Sequence, residues 1–279
     1  MLRALIPALV VFLAVTFAAP AQTAGWRFRW EKGQVLTYRV EHVSSATEVI
    51  DGKTSGFSSK LTLVKRWQVK DVDAEGVATL EMSLTAMRHE MTPPDGKTIV
   101  FDSADPDKSD GAMKADLSKY VGAVLAVLRV DGFGRVVEVK ESKHGPASKY
   151  ESDLPFKLVL PAAEVKEGAA WERKYKVTLE PPQGTGEKFD AKQTYTCQWV
   201  KDGAATVTFT TTILNPPESV ADQRPLLPAQ TGGTVVFDIK SGLMKSAKVV
   251  IEKELKGYQG EGSSYRLQSS YTEEYAGDR

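Results

Sequence analysis

A short pattern of turn and strand is laid down near the start of this sequence and laid down again from residue 154 onward. Trp30-Glu31-Lys32-Gly33 leads into Leu36, Tyr38 and Val40, and Lys166-Glu167-Gly168 leads into Trp171, Tyr175 and Val177. The two extra residues before Tyr175 are an even number, so side-chain facing survives the insertion. GVATLEM from Gly76 is answered by GAATVTF from Gly203, and the turn at Asp131-Gly132-Phe133-Gly134 by Asp238-Ile239-Lys240-Ser241-Gly242. Matched turns with conserved phase are the mark of an internal repeat. They predict a mainly β, antiparallel protein, either two related β-sheet halves or one long curved sheet, with one or two short helices. On this reading residues 22–153 are the first repeat, with a helical insertion, and 154–279 the second.

The strands themselves read by alternation. Trp26, Phe28 and Trp30 share one face at a period of two; Leu36, Tyr38, Val40 and His42 share the next; Leu61, Leu63, Trp67 and Val69 follow. Ala78, Leu80, Met82, Leu84 and Ala86 alternate with polar residues, as a half-buried antiparallel strand does. Residues 92–111, with Pro93, Pro94 and Pro106, read as a loop. Residues 113–120 suit a short helix, and 121–130 either its continuation or a strand. In the second half Tyr195, Cys197 and Trp199 share a face, as do Val207 and Phe209, and Val249 and Ile251. Tyr265, Leu267, Tyr271 and Tyr275 close the series.

Residues 1–21 carry Arg3, an apolar run over 4–18 and then Ala19-Pro20-Ala21, which reads as a cleaved secretory signal peptide, with cleavage after Ala24 as the other option. The run is broken by Pro7 and falls short of the roughly 20 apolar residues a membrane span needs. The expectation is an exported product, periplasmic or extracellular, with no membrane span after cleavage. The remaining length supports a real hydrophobic core without a staple. None is available within the chain, because Cys197 is its single cysteine. Lysine plus arginine and aspartate plus glutamate number 36 each, and no basic stripe suggests nucleic acid.

Catalytic and cofactor patterns are not found. Cys197, between Tyr195 and Trp199, reads as a buried inert thiol. His42, His89 and His144 lack metal-ligand spacing. The acidic runs at 105–116 and 71–76 place oxygens at alternating positions; in the first the glycine comes one residue late for a calcium loop, and the second lies across a hairpin turn. There is no G-x-S-x-G elbow. Gly132 and Gly134 precede a strand, so they read as a turn and not a phosphate cradle. Thr206, Thr208, Thr210 and Thr212 read as a solvated strand face. No metal or cofactor is expected.

That leaves an excess of inward aromatics. Trp67, Tyr195, Trp199, Phe209, Tyr265 and Tyr271 converge if the sheet curls, and either fill a core or line an apolar pocket. The functional expectation is a non-enzymatic envelope or secreted protein that binds an apolar small molecule or lipid, or an envelope protein, on a curved β face. Two alternatives stay open: a carboxylate-dependent hydrolase of envelope polymers, and a purely structural assembly module.

The segment LPAAEVKEGAAW from Leu160 and FDIKSGL from Phe237 resemble an uncharacterised family of exported bacterial proteins that carry an LP-x(n)-V-x-x-G-x-x-W element followed by F-D-x-K-[ST]-G-L. The resemblance implies a β-rich exported domain and brings no catalytic residues with it. The first half departs from the pattern, with Leu36 in place of the tryptophan.

Overall fold

A computed structural model describes residues 25–143 and 145–277; the leader expected over 1–21 and His144 lie outside the described residues. The strands are β1 (Val35–Ile50), β2 (Lys53–Val72), β3 (Ala78–Thr92), β4 (Ile99–Asp102), β5 (Val124–Val130), β6 (Val136–Ser142), β7 (Ala170–Leu179), β8 (Glu187–Lys201), β9 (Ala204–Ile213), β10 (Gly232–Asp238), β11 (Leu243–Lys256) and β12 (Ser264–Gly277). Three short helices accompany them: α1 (Gly111–Leu117), α2 (Lys149–Ser152) and α3 (Val220–Gln223). The expected mainly β, antiparallel architecture is found, in the form of a single 12-stranded sheet ordered β6-β5-β3-β2-β1-β12-β11-β10-β9-β8-β7, with β4 beside β3.

The sheet has a simple internal logic. β1, β2, β3, β5 and β6 form one antiparallel meander and β7 to β11 another, both traversed in the same direction across the sheet. β12 then lies between them and pairs with β1 and β11. The glycines that open or turn each meander, Gly33 and Gly168, Gly76 and Gly203, Gly134 and Gly242, all have positive φ. At the last pair the requirement is double. A Cβ on Gly134 would lie 2.6 Å from the Leu158 carbonyl oxygen, and one on Gly242 2.7 Å from that of Arg27. Those two turns grip the chain start between them, Phe28 N–H donating to Gly132 O (2.8 Å) and Arg29 N–H to Gly242 O (3.2 Å).

Residues 26–30 therefore lie against the sheet without forming a regular strand, and Phe28 and Trp30 are buried on one side of them. Two sequence expectations are refined by the structure. Residues 92–111 are not all loop, since β4 pairs with β3 there. Residues 121–130 are resolved in favour of strand β5. In the insertion, Asp110 caps α1 by accepting from Ala112 and Met113 N–H (3.0 and 3.2 Å), which gives that aspartate an ordinary structural role. Asp73 does the same for its hairpin turn, accepting from Glu75 and Val77 N–H.

The sheet curls without closing into a barrel. Val136 and Val139 of the β6 edge and Trp171 of the β7 edge pack against the same core, although the whole width of the sheet separates them by hydrogen-bonded path. The seam between the edges is filled by α2 and the connector that follows it. A cavity of about 340 Å³ there is lined by Arg135 and Val136 on one side and Glu172, Arg173 and Lys174 on the other, with Tyr150, Leu154 and Val159 between. The plug of the core is Phe156, whose ring centroid lies 5.2–5.5 Å from those of Phe28, Trp30 and Trp67 and 6.1 Å from Tyr38. Interior packing of this kind is dense and leaves little room for substitution.

Candidate functional site

Along β1 the inward side chains change character. Leu36 and Tyr38 are buried in the core around the Phe156 plug and Val40 is buried after them, and beyond come His42, Ser44 and Ala46. Their partners on β12 follow suit: Tyr275 and Glu273 opposite Tyr38 and Val40, then Tyr271, Ser269 and Leu267 opposite His42, Ser44 and Ala46. Ser44, Ala46 and Ser269 are small, and beyond the end of the plug the curled sheet is left unfilled. The result is a cavity of about 780 Å³, floored by β1, β12, β11, β9, β8 and β7 and rimmed by residues 146–157, 180–183 and 225–231.

One region of its wall is apolar, with Val177, Leu179, Phe209, Val249, Ile251 and Leu267. Another is charged. Lys65, whose side chain is 16% exposed, donates to Glu273 Oε1 (2.9 Å) and to the Tyr271 hydroxyl (2.7 Å), and Tyr271 in turn donates to Glu273 Oε2 (2.6 Å). Glu273 is fully buried, so this triad satisfies both oxygens of a carboxylate with no access to water. Burial first, and then the adjacent Glu273 charge, push the Tyr271 hydroxyl well above the usual phenol range, which keeps it a donor. Lys157 Nζ also lies near the Tyr271 ring, 5.0 Å from its centroid, and pairs with Asp153. Burial opposes the Lys157 charge, but Asp153 and Glu273 outweigh it and hold its pKa above the ordinary lysine value. Asp153 is held below its ordinary value in the same way: its surroundings resist ionisation, and Lys157 prevails over them.

His42 Nε2 lies 2.8 Å from Ser269 Oγ, and His89 Nε2 2.9 Å from Ser59 Oγ. Both imidazoles are depressed below the ordinary value of 6.5, His42 by burial, then Lys157, then His89, and His89 by burial. The folded state thus favours neutral rings, while the unfolded chain takes up protons at the ordinary value. Their contribution is complete above pH 6.5 and is lost as pH falls through the lowered folded values. We expect Tm to decline on acidification from neutrality into that window, and a His42→Asn/His89→Asn double variant to flatten the decline in differential scanning calorimetry.

No family model and no curated protein matches the sequence. Among solved structures, the chain is similar to one of lipovitellin concerned with lipid–protein interactions, at 12% identity and a TM-score of 0.49, over 90% of this chain and 26% of that one. It therefore spans about a quarter of the lipovitellin chain. It is also similar to DynF of the dynemicin biosynthesis pathway of Micromonospora chersina, at 7% identity and a TM-score of 0.23, over 96% of this chain and 92% of that one. A third likeness is to the MucA/MucB complex of Pseudomonas aeruginosa, at 10% identity and a TM-score of 0.13, over 85% and 88% of the two chains.

The six aromatics expected to converge are divided by the structure. Phe209 and Tyr271 line the cavity. Trp67 and Tyr195 point inward as expected, but they are packed into the core, at 2% and 0% exposure. Tyr265 packs beside the cavity against the cluster of Ala46, Leu227 and Leu267, with the Arg224 guanidinium 4.3 Å above its ring. Trp199 corrects the expectation outright: it is 53% exposed. The β8–β9 register slips between Cys197, opposite Val207, and Trp199, opposite Thr206, so the bulge turns Trp199 onto the outward threonine face. Cys197 stays inside, and burial followed by the Glu167 charge pushes its thiol pKa up, which agrees with an inert side chain.

The residues that alternation passed over are Lys65 and Glu273. Lys65 stands in phase with Leu61, Leu63 and Trp67, and Glu273 in phase with Tyr271 and Tyr275. An opposite pair of charges on two inward rows was therefore a readable signal, although the strands that carry them are separated by β1. Lys157 and Asp153 lie in a connector with no periodicity to read.

Proposed function

We propose that this chain is a non-catalytic binding protein of the exported compartment, which holds the apolar part of a small ligand inside the curl of its sheet. The observation that carries the reading is the cavity itself. At about 780 Å³ it falls within the range of small-molecule sites, roughly 300–1,000 Å³, and joins an apolar wall to a few convergent polar groups as such sites do. Export rests on the leader pattern at residues 1–21 and on the resemblance through Leu160–Trp171 and Phe237–Leu243. The carboxylates at and behind the cavity wall are engaged: Asp153 in the lining is bound by Lys157, and Glu273 behind Tyr271 is bound by Lys65 and Tyr271. That engagement favours binding over carboxylate catalysis.

Binding is measured with the neutral fluorescent probe N-phenyl-1-naphthylamine. We expect saturable binding by the wild type and a loss of at least about tenfold in Val249→Asp, which places a carboxylate on the apolar wall. Val250→Asp is the matched control, because that neighbour faces outward and is already 41% exposed. Equal probe affinity in Val249→Asp and wild type, with both folded by circular dichroism, defeats the proposal.

A further inference from the structure

We infer that the ligand of this cavity is a long-chain anionic amphiphile, and that Lys157 anchors its acidic headgroup after exchanging Asp153 for it. The inference rests on the binding function proposed above and adds the chemical class of the ligand. The apolar wall of Val177, Leu179, Val249 and Ile251 suits an alkyl chain, and the other lining groups fix the sign of the head. Lys149, Lys157 and Arg173 line the cavity against the carboxylates Asp153 and Glu180, an excess of cation.

Lys149 Nζ lies 4.9 Å from the Tyr150 ring centroid, and the pairing of the remaining groups points to Lys157. Lys65, outside the lining, is committed to the buried Glu273 and to Tyr271. Arg173 donates to the Glu151 carbonyl and the Gln193 side chain, and its guanidinium lies 4.2 Å above the Tyr175 ring. Glu180 accepts from Ser148 Oγ at 2.8 Å. Lys157 differs in the asymmetry of its ion pair: its own side chain is 16% exposed, whereas that of Asp153 is 67% exposed. The cation is held in the cavity wall while its counter-ion stands out into the cavity, where solvent reaches Asp153 although protein surrounds it. An anion arriving through the cavity meets a charge-assisted donor in a sheltered site and displaces a partner that loses little by leaving.

The backbone supports the same residue. Lys157 has φ of 54°, a conformation that favours glycine, yet the sequence places a long cationic side chain there. That choice is explained if the ammonium group is used.

The test is displacement of N-phenyl-1-naphthylamine from the full mature chain by myristate, monomyristyl phosphate, myristyl alcohol and methyl myristate. Acetate and inorganic phosphate serve as tail-less anions. We expect the two acids to compete at least about tenfold better than the alcohol and ester, because a charge-assisted hydrogen bond is at stake. The better of the two acids identifies the headgroup, and the tail-less anions should not displace the probe. Lys157→Met should abolish the preference for acids and Lys157→Arg should keep it. Asp153→Asn should raise the acid-to-alcohol ratio, and it remains informative if Lys157→Met fails to fold. Equal competition by acids, alcohol and ester overturns the headgroup assignment while leaving the cavity reading intact. A preference that persists in Lys157→Met, or a ratio unmoved in Asp153→Asn, overturns the role of Lys157. Failure of the wild type to bind the probe or any of the long chains overturns both readings together.

Discussion

Phe156→Ala is expected to destabilise the protein by about 3–5 kcal/mol, the range for truncating a well-packed aromatic side chain. The ring is 1% exposed and touches aromatics from the chain start, from β1 and from β2, so its removal opens a void that no single element can move to fill. The cost is not confined to transfer of one ring. Residues 154–160 hold the seam between the edge strands, with Leu160 N–H donating to Phe133 O (2.9 Å) and Trp171 Nε1–H donating to Val159 O (2.6 Å). Loosening that segment also loosens Leu154 and Lys157 at the cavity. Urea denaturation should show the loss in the midpoint, with Phe156→Leu intermediate. A penalty below about 1 kcal/mol would mean that the sheet holds its curl without the plug.

Removing Glu273 should be of similar size for a different reason. Glu273→Ala leaves the Lys65 ammonium with its side chain only 16% exposed and its ionic partner gone. Breaking a buried pair from one side costs about 3–5 kcal/mol, chiefly because the surviving charge stays desolvated. The pair does not have to be strongly stabilising for this to hold. Replacing both partners, as in Lys65→Met/Glu273→Leu, should recover most of the loss, since two apolar groups of similar volume need no solvation. Urea titrations of the two singles and the double form a cycle. A double variant as unstable as Glu273→Ala alone would place the damage in packing around Tyr271 and not in the orphaned charge.

Alternation along this sequence was enough for the class of fold. Matched turns at Gly33 and Gly168, Gly76 and Gly203, and Gly134 and Gly242 announce antiparallel strands in two similar series, because a period of two and a glycine at positive φ are local properties of the backbone. The same reasoning put Trp67, Tyr195, Phe209 and Tyr271 on inward faces correctly. It failed at Trp199, where one bulge residue between Cys197 and Trp199 reverses the phase, and a bulge leaves no reliable trace in composition. A short helix near 113–120 was legible, whereas the four residues of β4 before it were not, being too short to show a period.

What stayed hidden was how far the sheet curls and what sits inside it. Curl depends on Phe156 and its neighbours entering from a connector, and on β12 returning to join β1 to β11, and both are contacts between residues far apart in sequence. Hence the sequence could name aromatics that face inward without telling which become core and which become wall. Lys65 and Glu273 were visible as charges in apolar rows, but only the meeting of β2, β1 and β12 makes them partners. Local backbone geometry determines the direction in which each side chain points; only long-range packing decides what it meets there.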